Sequence, residues 1–404
     1  MISLADIQSA SRLLSGRVMR TPLVYSHTFS QMTGLQVYLK LENLQLGGSF
    51  KVRGASFKIL SHLHEIKGRE VIAASVGNHA QGVAIAARAA SLPATIVMPV
   101  WASIAKQEAT RGYGAKLILE GESLVQSLAI GQRMAKDAGK IFIHPYDDEE
   151  VMAGQGTIGL EILEDLPDAD YIFVPVGGGG LIGGIAVAAK ALRPVIHLIG
   201  VQSSACPSAL EALRAGRPVA LRAEERGALA DAIMVTQVGR APFPILQELV
   251  DEIATVDEDR ISSAMLLLLE RKRILAEGAG AAPLAALLEG STAIPRGSKV
   301  VLVISGGNVD SLLLARVISS GLRQQGRLML FSVCLKDAPG SLAGLLDLLA
   351  GHQANVVYIH HARNEPGLYI DLSRVDLELE TRGFDHIKEI ETALKRARYR
   401  AKIR

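Results

Sequence analysis

The sequence predicts an α/β protein: parallel sheets with helices on both faces, then a smaller C-terminal β-α-β-β-α-β module. Three observations carry this. Short β-branched runs alternate with alanine-rich runs over about the first 320 residues. Glycine is frequent (39 residues) while aromatic residues are only 4%, which suits tight strand-to-helix turns more than an aromatic-rich sandwich core. Past a polar, glycine-bounded stretch at 321–326, read as a linker, the pattern changes.

Residues 1–15 show helical amphipathicity, with no long apolar run and no small-residue cleavage site. This does not match a secretion signal, so a cytoplasmic location is expected. Strands are predicted at 71–74, 95–98, 116–119, 171–176, 197–202 and 299–304. Helices are predicted at 79–90, 103–111, 123–138, 181–191, 260–273 and 280–288. The nearly uncharged stretch 171–192 is too broken by Pro175 and the glycines from Gly177 to Gly184 to cross a bilayer. It reads as a buried strand, a glycine loop and a helix. After the linker, strands are expected at 327–335, 355–360 and 368–379, helices at 339–351 and 384–395, and a short last strand. That is the split βαβ layout of a ferredoxin-like module, with Asp337 and Pro339-Gly340 capping and starting its first helix.

A net charge of +2, with both signs interspersed, gives no footing for a nucleic-acid or membrane partner. Cys206 and Cys334 have neither metal nor redox spacing and are expected to pack as small apolar groups in a reducing compartment. No HExxH, paired cysteines or histidine cluster suggests a metal, and His144, His360 and His361 read as packing or surface residues. A serine-hydrolase elbow G-x-S-x-G is missing.

Chemistry concentrates at four places. Lys51 lies in Gly47-Gly48-Ser49-Phe50-Lys51-Val52-Arg53-Gly54-Ala55, between an aromatic ring, a valine and small residues. Partly apolar surroundings strip hydration from an ammonium and lower its pKa, and a neutral amine can form a Schiff base with an aldehyde. The second place is Ser75-Val76-Gly77-Asn78-His79-Ala80-Gln81-Gly82, where a strand gives way to a helix. Free N–H groups at a helix start favour a carboxylate or phosphate, and Asn78 adds an amide, although asparagine also suits a plain N-cap. The third is Gly177-Gly178-Gly179-Gly180-Leu181, whose backbone can converge on a phosphate without obstruction. Gly178, Gly180 and Gly183 also match a dinucleotide fingerprint, but the next strand ends at Val201-Gln202 without the acid that a ribose needs. The fourth is Ser305-Gly306-Gly307-Asn308, with the Ser305 hydroxyl at a strand's carboxyl end.

The runs SFKVRGA, SVGNHAQG, GGGGL and SGGN, in this order and spacing, resemble the threonine/serine dehydratases, pyridoxal-phosphate enzymes of the tryptophan-synthase-β type (fold type II). The resemblance covers residues 1–320, as a catalytic domain of two subdomains; residues 327–404 resemble an ACT domain, a small effector-binding unit. The resemblance implies that Lys51 holds pyridoxal 5′-phosphate as a Schiff base and then serves as α-proton base. Asn78 would bond the cofactor's 3′-oxygen, Gly177, Gly178, Gly179, Gly180 and Leu181 its phosphate, and Ser305 would face its pyridine nitrogen. Ser75, Gly77, Asn78, His79 and Ala80 would receive the substrate carboxylate. The implied reaction is loss of water from L-threonine, and from L-serine, giving 2-oxobutanoate or pyruvate and ammonia, the first step toward isoleucine.

Related activities are weighed by the same residues. Replacement enzymes of this type carry Asp after the lysine and a Gly-Asn-Thr-Gly loop, where this chain has Val52 and Gly77-Asn78-His79-Ala80. Serine racemases carry a serine just before the Gly-Asn pair, where this chain has Val76. A dehydratase for another β-hydroxy amino acid and a non-catalytic amino-acid sensor are the remaining alternatives. Leu229-Ala230-Asp231 resembles a region near a cation site in some relatives, but Ala232 replaces the usual glycine. In the C-terminal module the resemblance points to Asp337, Pro339, Gly340 and Asn355 as an effector site for isoleucine or valine, and to a homodimer or homotetramer.

Overall fold

The computed structural model describes residues 1–66, 69–222, 228–364 and 366–403. The chain divides into two compact units, Met1–Ser311 and Leu312–Arg404.

In the first unit the strands are β1 (Leu23–Tyr25), β2 (Gln36–Leu41), β3 (Val71–Ala74), β4 (Ala94–Met98), β5 (Lys116–Leu119), β6 (Ile141–Phe142), β7 (Tyr171–Pro175), β8 (His197–Ser203), β9 (Glu252–Val256) and β10 (Lys299–Ile304). Among the described residues they form two sheets, ordered β1-β2-β10-β7-β8-β9 and β5-β4-β3-β6. Only the β1–β2 pair is antiparallel. β3 and β4 are buried along their length and β7 and β10 along all but their first residue, as strands covered by helices on both faces must be. The predicted ligand loops leave the carboxyl ends of β3, β7 and β10, the last two being neighbours in one sheet.

The helix Glu149–Asp165 organises the centre. It packs on Lys51–Ser61 on one side and on Gly180–Leu192 on the other. Its glycines permit the approach: a Cβ on Gly154 would lie 2.6 Å from the Gly54 Cα, and one on Gly156 2.8 Å from the Gly184 carbonyl.

The helix that starts at Lys51 is tied down by a buried ion cluster. Arg53, 1% exposed, donates to Glu42 from Nε (2.9 Å) and Nη2 (2.8 Å). It donates to Glu161 from Nη1 (2.6 Å) and Nη2 (2.9 Å), and to the Thr157 hydroxyl (3.1 Å). Lys40, also buried, reaches Glu161 and the Thr21 carbonyl. Two cations and two carboxylates share one pocket, and each hydrogen bond offsets part of the desolvation that burial imposes.

The second unit begins with the helix Ser311–Gln324, which continues through Gly321. The predicted linker is therefore largely the last turn of a helix: Gly321 is buried, Arg323 and Gln324 face solvent, and the chain turns at Gly326, φ +66°. Beyond it lie β11 (Leu328–Lys336), β12 (Asn355–Ala362), β13 (Leu372–Glu380) and β14 (Ala401–Ile403), antiparallel and ordered β12-β13-β11-β14. Helices Ser341–Gly351 and Phe384–Arg396 complete the predicted β-α-β-β-α-β order. β13 starts at Leu372 and not at 368. Met329, Phe331, Val333 and Leu335 point to the core, so alternation turns Cys334 outward. The expectation that both cysteines are packed thus holds for Cys206 alone. Asp337 caps no helix: the cap is Gly340 in the left-handed region (φ +88°), while Asp337 accepts from the Arg363 Nε at 3.0 Å. No helix of the described residues is long and apolar enough to cross a membrane.

Arg53→Ala leaves the buried Glu42 and the half-buried Glu161 with only Lys40 between them. The variant is expected to lose roughly 3–5 kcal/mol in urea unfolding of the first unit.

Candidate active site

Lys51 opens the helix Lys51–Ser61, so its side chain projects from a helix start fixed by β10. The Phe50 N–H donates to the Ser305 carbonyl (3.1 Å), Gly307 N–H to the Gly48 carbonyl (2.9 Å), and Ser49 bridges Gly306. The first and fourth motifs are thus one backbone unit. The second joins them by close approach: a Cβ on Gly82 would lie 2.9 Å from the Lys51 carbonyl carbon. The third meets Lys51 through residues 145–146. Lys51 Nζ donates to the Pro145 carbonyl (2.9 Å), and the Tyr146 ring lies where a Cβ on Gly178 would be.

Burial sets the charge state of this site. It draws the Lys51 amine down to about 8, against a smaller opposing pull from Glu277. The amine lies 5.1 Å from the centroid of the Phe50 ring. Burial, with Lys51 nearby, lowers His79 to about 3, so the imidazole is neutral. Its Nε2 donates to the Ile143 carbonyl (2.8 Å), and Nδ1 is buried without a partner among the described residues. His144 falls to about 4 by burial, and its Nδ1 accepts from the Asp147 N–H (2.8 Å), shaping the turn that carries Pro145 and Tyr146. Glu277 rises to about 7, chiefly through burial and then through Asp231.

The predicted residues fall as follows. Ser75 is buried and its hydroxyl accepts from the Gly77 N–H (3.2 Å). Gly77 precedes the helix Asn78–Ala89 with open space beside it, and no side chain caps that helix. Ala80 is packed in the core, and the His79 ring is turned to Ile143. Gly179 (φ +95°) turns the chain into Gly180–Leu192, whose start also has no side-chain cap; Leu181 is buried beneath. Ser305 is buried, and its hydroxyl has no partner among the described residues. Asp337, Pro339 and Gly340 lie in the exposed turn after β11, and Asn355 opens β12 with Nδ2 3.3 Å from Glu380.

The sequence reading missed Glu277, Pro145 and Tyr146, while His144 packs as expected. Glu277 had a signal: it is the one charge between Arg273 and Glu289, in a run of alanine, glycine and leucine. Pro145 and Tyr146 had none, because a carbonyl and a ring edge act by position.

The sequence from 14 to 306 matches the family model for pyridoxal-phosphate dependent enzymes, and the chain belongs to that family. It is 45% identical over 403 residues to an L-threonine ammonia-lyase of Thermotoga maritima, covering all of both chains. It resembles the crystal structure of a T.th. threonine deaminase with TM-score 0.72 at 38% identity, covering 76% of this chain and 99% of that one. Maize serine racemase gives TM-score 0.74 at 33% identity, covering 80% and 98%.

The residues present fit the family's cofactor, pyridoxal phosphate. They supply a buried amine of lowered pKa, an uncapped glycine-lined helix start for a phosphate, an amide with a spare N–H and a serine hydroxyl just past the end of β10.

The lowered Lys51 has a consequence for the cofactor-free protein. Its pKa rises from about 8 when folded to about 10.4 when unfolded, so the unfolded chain binds more protons between these values. Stability therefore gains from this residue as pH rises through that window. Lys51→Met is expected to flatten the rise in thermal midpoint relative to wild type, and parallel curves would refute it.

Proposed function

We propose that this chain is a threonine ammonia-lyase, converting L-threonine to 2-oxobutanoate and ammonia, and L-serine to pyruvate and ammonia. The observation that carries the reading is the 45% identity to the Thermotoga maritima enzyme over the full length of both chains.

The side chains support the chemistry. When bound, pyridoxal phosphate supplies the sink for the electron pair left at a substrate's α-carbon. Lys51 would anchor it, and its Nζ would take the α-proton as general base. Gly177 to Leu181 would seat the phosphate, and Asn78 would hold the ring oxygen. Ser305 would stand at the ring nitrogen as a neutral hydroxyl, which would not hold a proton there as a carboxylate does; this favours elimination over chemistry needing a fuller carbanion. The substrate carboxylate takes the N–H groups at the start of Asn78–Ala89, beside the open space at Gly77. The position of a racemase's second proton donor holds Val76, which has no proton to give.

We further propose residues 1–320 as the catalytic domain and 327–404 as an ACT domain. The β12-β13-β11-β14 order supports this. So does coverage: the threonine deaminase structure covers 76% of this chain, whereas the Thermotoga maritima relative covers all of it. Feedback by isoleucine or valine at Asp337–Gly340 and Asn355, a dimer or tetramer, and a cytoplasmic place in isoleucine synthesis complete the reading.

Purified protein is expected to form 2-oxo acid from threonine and from serine. Lys51→Ala should lose the visible absorbance of the bound cofactor and the activity together; retained activity would sink the Lys51 assignment. Saturating isoleucine or valine is expected to shift the threonine saturation curve or the thermal midpoint. No change in either would remove the regulatory assignment.

A further inference from the structure

Glu277 is the N-cap residue of the helix Gly278–Glu289, yet its side chain makes no capping bond. Glutamate is not among the favoured caps. The carboxylate, in a residue 8% exposed, turns instead to Asn78, accepting from Nδ2 at 2.7 Å. Its surroundings are cut to fit. A Cβ on Gly306 would lie 2.5 Å from Glu277 Oε1 and 3.2 Å from Asn78 Nδ2, so no side chain could stand there. The Glu277 N–H is itself fixed on the Gly306 carbonyl (3.0 Å).

The bond continues a directed chain. Asn308 Nδ2 donates to the Gly47 carbonyl and to Asn78 Oδ1, both at 2.7 Å. A carbonyl can only accept, so the Asn308 amide has one orientation. That orientation presents N–H to Asn78, whose oxygen must face it. The Asn78 Nδ2 must then face Glu277. One N–H of Asn78 remains, with no acceptor among the described residues.

We infer that Glu277 is a positioning residue, which holds the Asn78 amide so that its remaining N–H is presented to the bound cofactor. The inference rests on the assignment of Asn78 as the residue facing the cofactor ring. It separates reach from charge. Glu277→Gln keeps the reach and an accepting oxygen but loses the charge. Glu277→Asp keeps the charge but is one methylene short.

The test measures the dissociation constant for pyridoxal phosphate and the visible circular dichroism of the bound cofactor, in the full chain, with thermal midpoints as a control. Glu277→Gln is expected to bind within about threefold of wild type with an unchanged dichroic band. Glu277→Asp and Glu277→Ala should each bind about tenfold more weakly, the size of one hydrogen bond, with an altered band. Should the alanine variant fail to fold, the Gln and Asp pair decides. Wild-type affinity and band in Glu277→Asp overturn the inference, as does equal weakening in Gln and Asp. Neither readout uses an amino-acid substrate, so failure to turn over threonine would count against the proposed function and not against this.

Discussion

A buried guanidinium underlies the geometry of the first unit. Arg53 lies two residues beyond Lys51 and holds the carboxylates of Glu42, just past β2, and Glu161, on the central helix. A charge taken out of water is stable only with partners in place, so the cluster has one arrangement and penalises others. It fixes where the Lys51 helix begins relative to the six-stranded sheet and the central helix. The backbone bonds from Phe50 to Ser305 and from Gly307 to Gly48 then set the lysine against the end of β10.

Much of this was legible in the sequence, and three central segments that were not share a cause. β3, β5 and β10 have the predicted limits, since each is a short apolar run between polar or glycine breaks. No element was read at Gln36–Leu41, Lys51–Ser61 or Glu149–Asp165. These segments bury Lys40 and Arg53 and carry Glu161, which pairs with both, and buried charge breaks the rule by which periodicity is read. The four motif loops were found because glycine and asparagine are needed there for backbone reasons that a sequence displays. Glu277 and the Pro145 carbonyl act by where the fold brings them, across 199 and 94 residues of chain.

Electrostatically the site is quiet. Burial moves Lys51, His79, His144 and Glu277 each toward its uncharged form. Both histidines are therefore fixed struts, with ring nitrogens committed to the Ile143 carbonyl and the Asp147 N–H. A phosphate and a substrate carboxylate would bring most of the formal charge, and they would meet backbone N–H groups at two uncapped helix starts.

The lowered lysine also settles a question of chemical selection. At pH 7 an amine with pKa near 8 is about one-tenth neutral, while an ordinary lysine is neutral in only about four molecules in ten thousand. Only the neutral form attacks an aldehyde. Against an ordinary lysine, Lys51 therefore holds much more of its amine in the attacking form before any binding contact forms. The burial that shapes the pocket thereby also favours attack from this nitrogen.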